Sequence, residues 1–318
     1  MSVAVIKWDG PESVAKAMEA IDGWESFKPG MKVLLKPNLV ISMPKVSPRG
    51  ILTSPEIIEA VIKLLKEKGA GSIVLADGAM SIPSMKLDTE AALKWGGLDA
   101  ICEKEGVEFV DLNKKPHRSF TMSNGIEIDV AEALFDADFV INLPILKTHD
   151  QVREMGLVLA GKDRLECDIV GSYLLGYDAK DIGYMVEYAK MKNQSIEMSD
   201  VEIIGEDPAD YKMNLKYANE DFEQLMGSLK VKGFAKPEGG HRYCSPCAFV
   251  SFQAALKFSL ANRGKTVDNA ELIVGNEAKL TENTKYPILF GKCAIEANKG
   301  IENAICIKGC PPNPDKAA

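Results

Sequence analysis

No run of apolar residues in this chain approaches the roughly 18 that a membrane-spanning helix needs. Basic charge is also short: 38 Lys and Arg stand against 46 Asp and Glu, a formal net charge of −8. Nucleic acid and anionic membrane surfaces require dense Lys and Arg to neutralise phosphate, so that balance argues against both. The opening Met1-Ser2-Val3-Ala4-Val5-Ile6-Lys7 lacks the basic region and apolar stretch of a secretory leader. There is no internal repeat and no low-complexity tract. Cysteine is nearly missing from the first 243 residues, which hold only Cys102 and Cys167. These absences predict a globular cytoplasmic protein, in a compartment where thiols stay reduced. With 318 residues, 46% of them apolar and 26% charged, the chain can bury one large core or two lobes.

The first half alternates strand and helix patterns. Lys32–Lys36 is a short apolar run, followed by Pro37-Asn38 and a loop punctuated by Pro44, Pro48 and Gly50. Thr53-Ser54-Pro55-Glu56 then opens a helix, with a hydroxyl to cap it, proline in the first turn and glutamate toward the dipole. Ile57, Ile58, Val61, Ile62, Leu64 and Leu65 form its apolar stripe, and Gly69 stops it. A strand at Ser72–Ala76 ends at Asp77-Gly78, completing a βαβ unit and so a parallel sheet. The pattern predicts a helix over 89–105, a strand over 107–111, a hairpin at Asn124-Gly125 and a buried strand at 139–143. It continues with a strand over 156–160, helices over 164–175 and 179–192, and a strand over 201–205. The texture changes near Leu229. We therefore expect an α/β core over 1–228, mainly a parallel sheet flanked by helices, and a smaller cysteine-rich α/β lobe over 229–318.

Ligands of parallel α/β sheets bind beyond the carboxyl ends of the strands. Lys36 with Asn38, Asp77, and Lys147 with Thr148 and His149 occupy such ends. Two lysines in one cleft would suit an anionic small molecule, whereas the plain alternative is solvated charge at loop starts. His149 is a candidate general base or ligand.

Five of the seven cysteines fall within the last 75 residues. Cys244-Ser245-Pro246-Cys247 puts two thiols just before a helical pattern over 248–260, where a helix N-terminus favours thiolate. Cys293 follows the apolar run Pro287–Phe290. Cys310 precedes two prolines, the first of which removes an N–H and holds the backbone extended, a pairing that recurs in iron–sulfur ligand runs. Cys244, Cys247, Cys293 and Cys310 can surround a [4Fe-4S] cluster. The same four thiolates suit tetrahedral zinc, and Cys244 and Cys247 alone could form a redox pair. Cys306, within Ala304-Ile305-Cys306-Ile307, reads as core, and Cys102 and Cys167 as buried thiols within helices.

Four segments carry a resemblance: Val33–Leu39, Thr53–Ala60, Ile141–His149 and Met155–Asp163. They resemble the domain-of-unknown-function 362 family over most of residues 30–207. That resemblance implies an association with iron–sulfur binding. The tail is similar to members carrying Cys-x-x-Cys, Gly-x-Cys and a terminal Gly-Cys-Pro-Pro, which points again to Cys244, Cys247, Cys293 and Cys310. It departs from the pattern after Lys147-Thr148-His149, where only residues 150–154 precede Met155 and a longer stretch is usual. No general reaction comes with the family.

The expected function is that of an iron–sulfur protein, in electron transfer with a redox partner or in a reductive step on an anionic small ligand near Lys36, Asn38, Lys147 and His149. One alternative is a hydro-lyase-type enzyme whose cluster acts as a Lewis acid. Another is a non-catalytic scaffold with structural zinc.

Overall fold

The structure is a computed structural model. It describes residues 2–81, 87–114, 116–122, 125, 127–147, 155–215, 226–235, 245–276 and 279–313. They fall into two compact units, one of described residues up to 215 and one of those from 226 onward.

The first unit holds, in chain order, β1 (Ser2–Lys7), α1 (Glu12–Ala20), β2 (Lys32–Lys36), α2 (Pro55–Glu67), β3 (Ser72–Asp77), α3 (Thr89–Trp95), α4 (Leu98–Glu105), β4 (Glu108–Asp111), β5 (His117–Thr121), β6 (Glu127–Ala131), β7 (Phe139–Asn142), β8 (Leu157–Gly161), α5 (Arg164–Leu175), α6 (Gly183–Lys192) and β9 (Glu202–Gly205). Its main sheet has the order β4-β3-β2-β7. Every pair in it is parallel, as the βαβ pattern predicts. Leu35 of β2 and Leu75 of β3 are buried with Ile58, Ile62 and Leu65 of α2 and Leu98 of α4. The antiparallel β5–β6 hairpin stands where Asn124-Gly125 predicts a turn.

A second sheet, β8-β1-β9, was not expected from the sequence. Its central strand pairs antiparallel with β8 and parallel with β9. Val3 and Val5 of β1 pack with Leu165, Ile169 and Leu174 of α5, and Ala4 on the opposite face packs with Ala17 and Ile21.

Four local expectations are corrected. The helix over 89–105 is two helices, broken at Gly96-Gly97. A Cβ on Gly96 would lie 2.9 Å from Leu52 Cδ1, and Gly97 takes a left-handed φ of 69°. The helix over 179–192 is a 3-10 turn, Ala179–Asp181, followed by α6. Ser54 does not cap α2: its hydroxyl donates to Glu56 Oε2 at 2.5 Å instead. Strand β7 is not fully buried, because it forms one edge of the described sheet and leaves Val140 43% exposed.

The second unit contains β10 (Lys232–Ala235), α7 (Ser245–Ala261), β11 (Thr266–Val274), β12 (Tyr286–Phe290), α8 (Lys292–Ala297) and β13 (Ile305–Ile307). These strands form another all-parallel sheet, in the order β10-β11-β12-β13. Leu272 and Val274 of β11 pack with Val250 and Ala254 of α7, while Ile273 between them joins Leu289 and Ala294 of α8. The period-two alternation thus feeds an apolar layer on each face.

Ion pairs clasp α2 to α4. Glu59 accepts from Lys104 at 2.8 Å and from Lys63 at 2.5 Å, and Lys66 reaches Glu105 at 2.7 Å. Hydrogen bonds from Lys104 and then Lys63 hold the Glu59 carboxyl down at about 2. The unfolded value is near 4.3, so this contribution is present above that pH and lost as pH falls toward 2. In thermal melts across pH, Glu59→Gln is expected to lower Tm at neutral pH and to converge on the parent protein at the acid end. A constant offset at all pH values would sink the assignment.

Candidate functional site

The connections of the second unit send three of its cysteines to one edge. Cys247 lies in the first turn of α7, which follows β10; Cys293 opens α8, directly after β12; Cys310 follows β13. All three therefore lie at the carboxyl edge of a parallel sheet, where such folds bind ligands. Two backbone hydrogen bonds join the last two segments: Gly291 N–H donates to the Ile307 carbonyl and Lys292 N–H to the Gly309 carbonyl, both at 2.9 Å. Gly291 has a φ of 94°, and a Cβ there would lie 3.6 Å from both Cys247 Sγ and Pro312 Cδ. Segments from 247, 291–293 and 309–312 thus meet at one point.

The thiols differ in access. Cys247 is buried, whereas Cys293 and Cys310 are exposed. Among the described residues no three His, Cys, Asp or Glu side chains are gathered closely enough to hold a metal. Cys244, the remaining expected ligand, lies outside the described residues. The donor set suits iron–sulfur or zinc in chemistry, and the backbone brings three of its segments together. After Cys310 the chain does not run extended as expected, because Gly309 and Pro312 pair antiparallel and reverse it.

Cys306 is not core. It is exposed on β13, an edge strand of the described sheet, where one side of the strand has no neighbour to bury it. Cys102 is buried in α4, and burial pushes its thiol up. Cys167 of α5 sits against Gly161, and burial with the nearby Asp168 carboxylate pushes its thiol up to about 12. Both are poor nucleophiles at neutral pH; Cys102 is buried as the sequence predicts, whereas Cys167 is only half-buried.

At the carboxyl ends of β2, β3 and β4 the polar groups bind one another. Lys36 Nζ pairs with Asp77 Oδ1 at 2.8 Å, across neighbouring strands. Asp77 Oδ2 accepts the Leu39 N–H at 2.7 Å. Asn38 donates its side-chain amide to the Ile51 carbonyl at 3.2 Å, and its N–H to Thr53 Oγ1 at 2.8 Å. Buried Thr53 in turn donates to the Leu143 carbonyl at 2.6 Å, tying β7 into the group. Next to it Thr89 donates to Asp111 Oδ1 at 2.8 Å.

Sequence reasoning missed Thr53, Thr89 and Asp111 as members of this network. The only signal was position, since each lies at a strand end or a helix start. Val40, with a φ of 38°, is a strained β-branched residue beside this group, and its carbonyl accepts Met80 N–H at 2.6 Å. Lys147 is half-buried five residues beyond β7. Thr148 and His149 lie outside the described residues.

A protein family described as "Domain of unknown function (DUF362)" matches residues 33–153, from the second residue of β2 to beyond β7. The chain is also similar to the "Thylakoid-associated protein sll1697" of Synechocystis sp. (strain ATCC 27184 / PCC 6803 / Kazusa), with 31% identity over 142 residues. The aligned part is 44% of this chain and spans 41% of that relative. No solved structure matches the chain.

Asp77 holds both a cation and a backbone N–H, so its loss reaches two partners. Removing one partner of a buried hydrogen bond costs about 1–3 kcal/mol, and Asp77→Ala is expected to lower stability by about that amount in urea unfolding. In a Lys36→Met background the same substitution should cost less. Equal costs in the two backgrounds would mean that the ion pair contributes nothing.

Proposed function

We propose that this chain is an iron–sulfur protein that transfers electrons, with Cys244, Cys247, Cys293 and Cys310 as ligands of one [4Fe-4S] cluster. The observation that carries this reading is the meeting of the Cys247, Cys293 and Cys310 segments around Gly291 at one carboxyl edge. Thiolate ligands suit iron–sulfur clusters, and an α7 N-terminus stabilises the thiolate form of Cys247. Bound there, a cluster would take up and release single electrons. The residues' own part is to hold thiolates in place, with a buried side at Cys247 and an exposed side at Cys293 and Cys310.

Electron transfer is favoured over a reductive step on an anionic ligand because the first unit's cleft is internally satisfied. The Lys36 charge is matched by Asp77, and the Asn38 amide by Ile51. An anion at Lys36 would have to share that lysine with Asp77, which already takes up its charge. In this reading the partner is a redox protein and the setting is cytoplasmic, where thiolates stay reduced. Among the described residues no helix is long and apolar enough to cross a membrane.

Cys306 is an internal reference, exposed but not a proposed ligand. Protein purified without oxygen should carry about four iron and four labile sulfide per chain, and Cys310→Ser should lose them. Alkylation followed by mass spectrometry should then label Cys306 rapidly while Cys293 and Cys310 stay protected until iron is chelated. Zinc without sulfide would overturn the reading in favour of a structural site. Equal labelling of the three cysteines in freshly purified protein would overturn any metal site.

A further inference from the structure

We propose that the face bearing Cys293 and Cys310 docks an acidic electron-carrier protein through Lys292 and Lys308; this rests on the iron–sulfur reading above. Charge is unevenly divided along the chain. Residues 216–318 hold 14 Lys and Arg against 11 Asp and Glu, while residues 1–215 hold 24 against 35. The whole excess of negative charge thus belongs to the first segment, and residues 216–318 carry a formal +3 with their cysteines counted as neutral.

Within that segment, Lys292 directly precedes Cys293, and Lys308 stands two residues before Cys310. The backbone bond from Lys292 N–H to the Gly309 carbonyl brings the two lysine-bearing segments side by side. Both side chains are exposed, and among the described residues neither forms an ion pair. The nearest acidic residue on α8 is exposed Glu296, one turn after Lys292, and Glu302 is exposed beyond the helix. Glu296 does not neutralise Lys292, in keeping with the weaker pairing of a Lys placed four residues before a Glu.

Three residues before Lys308, Ile305 on edge strand β13 is 51% exposed. An apolar side chain on the same strand segment as a cation that forms no ion pair among the described residues has the make-up of a small transient interface, with an apolar centre and a charged rim. Electrons must pass where partner and cofactor approach most closely, and the exposed thiols mark that side. Opposite charge on the carrier would speed encounter and orient it, and salt would weaken both effects.

The test uses the full chain purified without oxygen, with iron and labile sulfide measured on every sample. The probe is a small acidic [2Fe–2S] ferredoxin, and a basic cytochrome c is the control. Ferredoxin affinity should fall about tenfold between low salt and roughly 0.3 M salt. At low salt it should fall about tenfold in the Lys292→Glu/Lys308→Glu double variant, with iron per chain unchanged. Lys16→Glu, at an exposed position of α1, should have no effect. Iron-loaded protein that binds ferredoxin indifferently to salt and to the double reversal, or binds cytochrome c equally well, would overturn the docking face. Protein without iron whose ferredoxin binding still vanishes in the double variant would support the face and overturn the cluster. If the double variant loses iron, Lys292→Gln/Lys308→Gln replaces it: an intermediate loss of affinity supports the face and none overturns it.

Discussion

Parallel strand pairing is the constraint on which the rest depends. When strands run the same way, each must be followed by a crossover, and every carboxyl end emerges at one edge of the sheet. The second unit obeys this over four strands, and residues distant in sequence therefore reach a common edge. Cys247 and Cys310 are separated by three strands and a helix, yet the segments that carry them both reach Gly291 through this geometry. Had the strands been antiparallel, alternate connections would have carried the thiols to opposite ends.

The same constraint has a different outcome in the first unit. Its strand ends carry Lys36, Asp77 and Asp111, and here the polar groups turn toward each other. Thr53 is the connecting piece, accepting from Asn38 and donating to the β7 end. Buried polar groups need partners, and a network that satisfies itself holds the strand ends together while leaving little capacity for a ligand. The two units are alike in architecture and unlike in what their carboxyl edges present.

Much of the fold was legible where the signal is local. The β2–α2–β3 unit follows from a short apolar run, a proline-bearing helix start and a helical stripe closed by Gly69. The break between α3 and α4 was overlooked although Gly96-Gly97 is itself a breaker signal; what the sequence could not show is the close approach of Gly96 to distant Leu52. Strand alternation likewise cannot tell an edge from an interior position, so Cys306 and β7 were read as more buried than they are. Clustering in the sequence singled out the cysteines of the tail. Their shared edge was not legible, since it depends on strand order. Lys36 looked like an available cation because its counter-charge, Asp77, lies 41 residues further on and is brought alongside only by the register Leu35 to Leu75.

Strand β1 carries a consequence for how the chain matures. Its two neighbours are β8 and β9, and its register joins Val3 to Gly161 on one side and to Ile203 on the other. During synthesis this apolar strand leaves the ribosome long before either partner exists, and it must wait while the whole of β2 to β7 is made. The β2–α2–β3 unit can close early on local contacts, whereas the β8-β1-β9 layer can form only when the chain has reached Gly205. For that interval β1 is an unpaired strand edge, the kind of surface that chaperones occupy and that misassembly exploits.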